Sequence, residues 1–158
     1  MSTEKWIAGS GVGLTWTTAC GTEITTTAVG SGNAILSSVS IDNTTALDMF
    51  MGLSYVAGAA LTTVAPAYLA FYLYPLSDDA SHYGDGRFGS AAAGPPPGGY
   101  QIGTIGFAAA ASTTIWGQIM NIPIIPAKFK IVLYNQAGIA LPASGNTLKY
   151  VTYNRSVV

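Results

Sequence analysis

The chain is 158 residues long, only 8% of them Asp, Glu, Lys or Arg, with a formal net charge of −1. That length suits one domain with a substantial core. The scarcity of charge, against about 25% in an ordinary soluble domain, describes a Gly-, Ala-, Ser- and Thr-rich surface suited to lying against other protein, the alternative being a secreted or thermally robust β-protein that is simply charge-poor. Six cations without a basic stripe exclude nucleic acid as the main partner. One cysteine, Cys20, excludes an internal disulfide or a multi-cysteine zinc site, and is expected as a small buried hydrophobe.

Residues 1–12 read as an N-terminal arm preceding a single β-domain over 13–158. Gly9, Gly11 and Gly13 oppose regular structure there, and Trp6 is a large aromatic placed to dock on the domain or on a neighbour. The opening M-S-T-E-K-W-I has an acid beside its lysine and no sustained apolar run, so it does not read as a signal peptide. Leu14–Ala19 alternates as a first strand. Ala34–Asp42 follows, with Ile35, Ser37, Val39 and Ile41 on one face. Asn43-Thr44-Thr45 is a turn. Asp48–Val56 is the next strand, with Met49, Met51, Leu53 and Tyr55 on one face, and Gly58–Ala65 is a connection of small residues.

Tyr68–Leu76 is the most strongly patterned strand. Leu69, Phe71 and Leu73 share one face, and Tyr68, Tyr72 and Tyr74 share the other. A strand with two such faces is central in a sandwich or covered by a partner. The tyrosines are therefore either a second layer of core or a contact surface for a neighbouring subunit or a sugar, and Trp116 poses the same alternative. Although Met49–Ser77 carries no charge, Gly52, Gly58, Pro66 and Pro75 break it, which opposes a membrane-spanning helix.

Ser77–Gly99 is a long irregular loop with a stiff Pro95-Pro96-Pro97 run. It holds the only titratable cluster, Asp78, Asp79, His82, Asp85 and Arg87. Its spacing matches no standard calcium loop, so the preferred reading is a turn in which Asp side chains bond their own backbone and Gly84 and Gly86 supply positive φ. Four strands follow: Tyr100–Phe107, Thr113–Asn121, Lys128–Asn135 and Thr147–Asn154. In the third, Phe129, Ile131 and Leu133 face inward and Lys128 and Lys130 outward. About eight strands without helical spacing predict an all-β antiparallel sandwich, jelly-roll-like. Nothing resembles a nucleophile elbow, a facing carboxylate pair or a dinucleotide fold, so no enzyme, cofactor or metal is expected.

Two stretches carry a resemblance. The first is L-A-F-Y-L-Y-P-L-S-D-D-A-S-H-Y-G-D-G from Leu69 to Gly86. The second begins I-P-I-I-P-A-K-F-K-I-V-L-Y-N-Q-A-G at Ile122 and continues to A-S-G-N-T-L-K-Y-V-T-Y-N at Asn154. Together they resemble small β-sandwich structural proteins of tailed bacteriophages. That resemblance implies a virion component, foremost a head decoration (cement) protein on the outer surface of the shell. Its partners would be the major capsid protein and copies of itself, as a homo-oligomer (trimer or dimer), with no membrane or nucleic acid. A tail or baseplate subunit and a carbohydrate-binding sandwich are the alternatives. The expected contact residues are Trp6, Tyr68, Tyr72, Tyr74, His82, Tyr83, Arg87, Phe88, Pro95, Pro96 and Pro97.

Overall fold

The computed structural model describes residues 4–7, 17–18, 29–37, 39–64, 66–76, 92–94, 96 and 99–157. Side chains are described for these except at 4–7, 17–18, 92–93, 110 and 155–157. The described residues contain strands and no helix. In chain order the strands are β1 (Glu4–Ile7), β2 (Thr17–Thr18), β3 (Asn33–Leu36), β4 (Ile41–Asp42), β5 (Phe50–Val56), β6 (Leu61–Thr63) and β7 (Ala67–Pro75). They continue as β8 (Ala92–Ala93), β9 (Tyr100–Phe107), β10 (Ala110–Thr113), β11 (Trp116–Pro123), β12 (Lys128–Gln136) and β13 (Thr147–Val157).

Every pairing among them is antiparallel. The first sheet runs β1-β13-β5-β11, with β2 also on β13. The second runs β8-β3-β12-β7-β9, with β4 also on β12. Alternation explains how they close on each other. Met51, Leu53 and Tyr55 of β5 and Leu148 of β13 point from the first sheet into the same core as Leu69, Phe71 and Leu73 of β7 and Phe129, Ile131 and Leu133 of β12. Burying a side chain of this size contributes about 1.5–3 kcal/mol. The result is an all-β sandwich.

The chain crosses from the first sheet to the second through β6, between β5 and β7. It returns through β10, between β9 and β11. The two crossing segments pair with each other as a small separate sheet. On one flank the edge strands β9 and β11 come together: Gly117 sits against Ile105, and Gly103 against Ile119. A side chain at either glycine would hold the two sheets apart.

Seven of the eight expected strands have counterparts with local departures; of the expected Leu14–Ala19 strand only Thr17–Thr18 is described, as β2, and the rest lies outside the described residues. The expected Ala34–Asp42 strand is two pieces, β3 and β4. Between them Ser37 Oγ accepts the Ile131 N–H at 3.1 Å and donates to the Val39 carbonyl at 2.8 Å. A side chain thus replaces a ladder bond, and Val39 leaves the core face for the surface. Met49 precedes β5 and is 57% exposed, because its side chain lies beyond the strand's alternation. The connection at 58–65 contains β6, and the alanine run near 110 contributes to β10. Within the expected arm, residues 4–7 form β1 against the end of β13, Trp6 opposite Arg155. No helix of the described residues is long and apolar enough to cross a membrane; the described part of the charge-free segment after Asp48 builds β5, β6 and β7.

Candidate interaction surface

The outer face of the second sheet is assembled from β7, β12, β3 and β9. Register places Tyr74 opposite Lys130, Tyr72 opposite Val132, Ala70 opposite Tyr134 and Tyr68 opposite Gln136. On the other side of β7, Tyr72 faces Gln101 and Tyr68 faces Gly106. One end of this face is sealed. Tyr74, Val132 and Ala34 are buried, with Leu36, Tyr72 and Tyr134 packed around them as a second apolar cluster. Gly99 lies against the Tyr74 ring, and β8 pairs with β3 while the Gly94 N–H reaches the Gly32 carbonyl at 2.8 Å.

The tyrosine face is therefore divided. Tyr74, 1% exposed, is core, which corrects the expectation that it contacts a partner: the returning chain at Gly99 already occupies that side. Pro96 is likewise buried and offers no free surface. Tyr72 is half-buried and Tyr68 is 37% exposed. Burial pushes the Tyr72 phenol above its ordinary range, and the neighbouring Tyr68 and Tyr134 add to the shift. The Tyr72 phenol is thus neutral at physiological pH. Beside Tyr68 runs a shallow open groove lined by Pro66, Tyr68, Gln101, Thr104 and Phe107.

The outer face of the first sheet differs. Phe50 and Tyr153 stack with ring centroids 6.1 Å apart. The Tyr153 hydroxyl donates to Asn121 Oδ1 at 2.9 Å and accepts the Asn121 N–H at 2.9 Å. Asn121 sits at φ 59°, beside a bulge where β11 takes one residue more than β5 between Ile119↔Leu53 and Ile122↔Met51. The bulge reverses the alternation of β11, so that Ile119 and Ile122 both turn to the core. Trp116, ahead of it and opposite Val56, is 68% exposed. On the second sheet, Tyr100 at the start of β9 is 62% exposed.

Among the described residues no group of three His, Cys, Asp or Glu could hold a metal. The described ion pair, Lys128–Asp42 at 3.2 Å, joins β12 to β4 on the surface. Hydrogen bonds from the Thr44 hydroxyl and N–H, with help from Lys128, hold the Asp42 carboxyl below its ordinary value. His82, Tyr83, Arg87, Phe88, Pro95 and Pro97 lie outside the described residues, as does the side chain of Trp6. Sequence reading missed Gln101, Gln136 and Tyr134 as neighbours of the tyrosines, since only strand register brings them there. Comparison with protein-family models, with curated proteins and with solved structures returned no match.

Proposed function

We propose that this chain is a structural protein of a tailed-phage particle, a decoration protein that binds the outside of the head shell and stabilises it. The observation that carries the reading is the resemblance of Leu69–Gly86 and Ile122–Asn154 to small phage structural proteins. Those stretches include β12 and most of β7 and β13, which are central strands of the two sheets. The pairings β2–β13, β4–β12, β5–β11 and β7–β9 nest one inside the next. We read that order as a jelly roll, an architecture suited to viral shells and also to lectins.

The physics would be modest contacts repeated at symmetric positions. Each copy adds little, and linked copies hold the shell by multivalency. Exposed Trp116 and Tyr100 supply apolar anchors on a surface with few charges to desolvate. Trp6 and the loop at 77–99 remain the proposed additional contacts to the major capsid protein and to neighbouring copies. Cryo-EM of intact particles tests the assignment. The expected result is density for this sandwich on the outer head at a fixed number of copies, and heat-sensitive heads when its gene is deleted. Density confined to the tail or baseplate would overturn it.

A further inference from the structure

We propose that the outer face of the second sheet carries a binding site for neutral polysaccharide, centred on Tyr68 and the groove beside it. Three kinds of observation converge. First, the site has flat apolar surfaces of the sort on which the C–H face of a sugar ring packs: Tyr68, with 37% exposure, lines the groove, and Tyr72 and Tyr134 lie next to it. Second, it has donors and acceptors for hydroxyl groups. Gln136 stands opposite Tyr68 and Gln101 opposite Tyr72, while Thr104 lines the same groove as Gln101. A primary amide supplies both a donor and an acceptor, which a sugar hydroxyl can use at once.

Third, charge selects the ligand. Among the described residues lining the groove and flanking Tyr68 none is ionisable except the tyrosines, and burial with close neighbours keeps the Tyr72 phenol protonated. The lysines of β12 lie toward the opposite end of the face, Lys130 opposite Tyr74 and Lys128 paired with Asp42. An anionic glycan or phosphate would find no counter-charge at Tyr68, whereas a neutral one loses nothing. The buried cluster of Tyr74, Val132 and Ala34 holds the strands beneath, so a ligand would meet a platform that is already ordered.

The open groove suits an extended polymer better than an enclosed monosaccharide. On a displayed protein such a site would attach the particle to glycan-coated surfaces, independently of what holds the protein to the shell. Its test uses the isolated full chain, so its failure is distinguishable from failure of the decoration assignment.

The experiment is affinity electrophoresis of the full chain through gels containing glucan, mannan, galactan or chitin oligomers, with alginate as an anionic polymer. Retardation by at least one neutral polymer is expected. Tyr68→Ala should weaken it by about tenfold or more, as loss of a central aromatic anchor does. Gln101→Ala should weaken it less, and Trp116→Ala on the other sheet should leave it unchanged. Because Tyr68→Ala removes a surface residue, circular dichroism should show the fold intact. Tyr68→Phe, which keeps the ring, should retain most of the binding. No retardation by any neutral polymer, retardation by alginate alone, or equal retardation of Tyr68→Ala would each overturn the proposal.

Discussion

Three buried asparagines fasten the loops that join these strands. Asn43 donates from Nδ2 to the carbonyls of Asp48 and Ile125, at 2.8 and 2.9 Å, and accepts the Asp48 N–H at 2.8 Å. Asn135 donates to the carbonyls of Val29 and Ile139 and accepts the Ala137 N–H. Asn146 Oδ1 accepts the Tyr55 hydroxyl and the Gly58 N–H, both at 3.1 Å, while its amide donates to the Pro142 carbonyl. In each case one side chain satisfies backbone groups that a buried loop would otherwise leave unpaired. Gly58 belongs to the same arrangement, since a Cβ there would run into the backbone of Ser144 and Gly145. Asn146→Ala removes the partner shared by two donors and an acceptor at once, so a loss of about 2–4 kcal/mol is expected. Tyr55→Phe removes one hydroxyl and should cost about 1 kcal/mol. Urea denaturation measures both; an Asn146→Ala protein within about 0.5 kcal/mol of the parent would show that these bonds carry little net stability.

At the scale of elements, the closure of β9 on β11 depends on what is missing from two positions. A Cβ at Gly117 would overlap Ile105 Cγ2, and one at Gly103 would lie 2.9 Å from Ile119 Cγ2. Gly117→Ala is therefore expected to destabilise by about 1–3 kcal/mol through overpacking. The double variant with Ile105→Val should recover part of that loss, because it trims the side chain in the way. A double variant showing simple additive losses in denaturant titrations would mean the glycine is not there for closure. Such cross-sheet requirements explain what the sequence could and could not disclose. The alternation of Phe129, Ile131 and Leu133, or of Leu69, Phe71 and Leu73, is local, and it identifies β12 and β7 without any knowledge of their neighbours. β6 and β10 have no such pattern. Leu61-Thr62-Thr63 and the stretch from Ala110 become strands because they pair with each other across the end of the sandwich, an event of long sequence separation. The bulge beside Asn121 inverts the alternation halfway along β11, so its inward Ile122 contradicts a uniform period of two. The division of the tyrosine face was hidden for a similar reason. Tyr68, Tyr72 and Tyr74 share parity, and only the return of the chain at Gly99 makes the last of them core. Gln101 and Gln136 reach the tyrosines from two other strands, and no spacing along one strand announces that.

For the whole molecule, the shortage of charge sets its response to pH. The full sequence has seven acids, six Lys and Arg, and one histidine, so few groups can link folding to protons. Among the described residues, the Asp42 carboxyl is lowered from 3.8, while Tyr72 and Tyr150 are raised from 10.0, chiefly by burial. The signs follow from linkage. Asp42 contributes above its unfolded value, and that contribution disappears as pH falls through the lowered folded value; being exposed, it contributes little. The raised tyrosines favour the folded state below pH 10, and this advantage is lost as pH rises through their folded values. The expected profile is a melting temperature nearly level from about pH 5 to pH 9, a shallow acid decline, and a steeper alkaline decline that begins near 10. Tyr150→Phe should move the alkaline decline to higher pH by removing an ionisation that the folded state resists. Thermal melts by circular dichroism from pH 3 to 11 measure this. Samples near the isoelectric point of about 5.6 need a separate light-scattering check, because a chain with so little charge associates there without unfolding. A sharp change between pH 6 and 7 would contradict the profile and point to His82, the single histidine of the sequence, as a group coupled to folding.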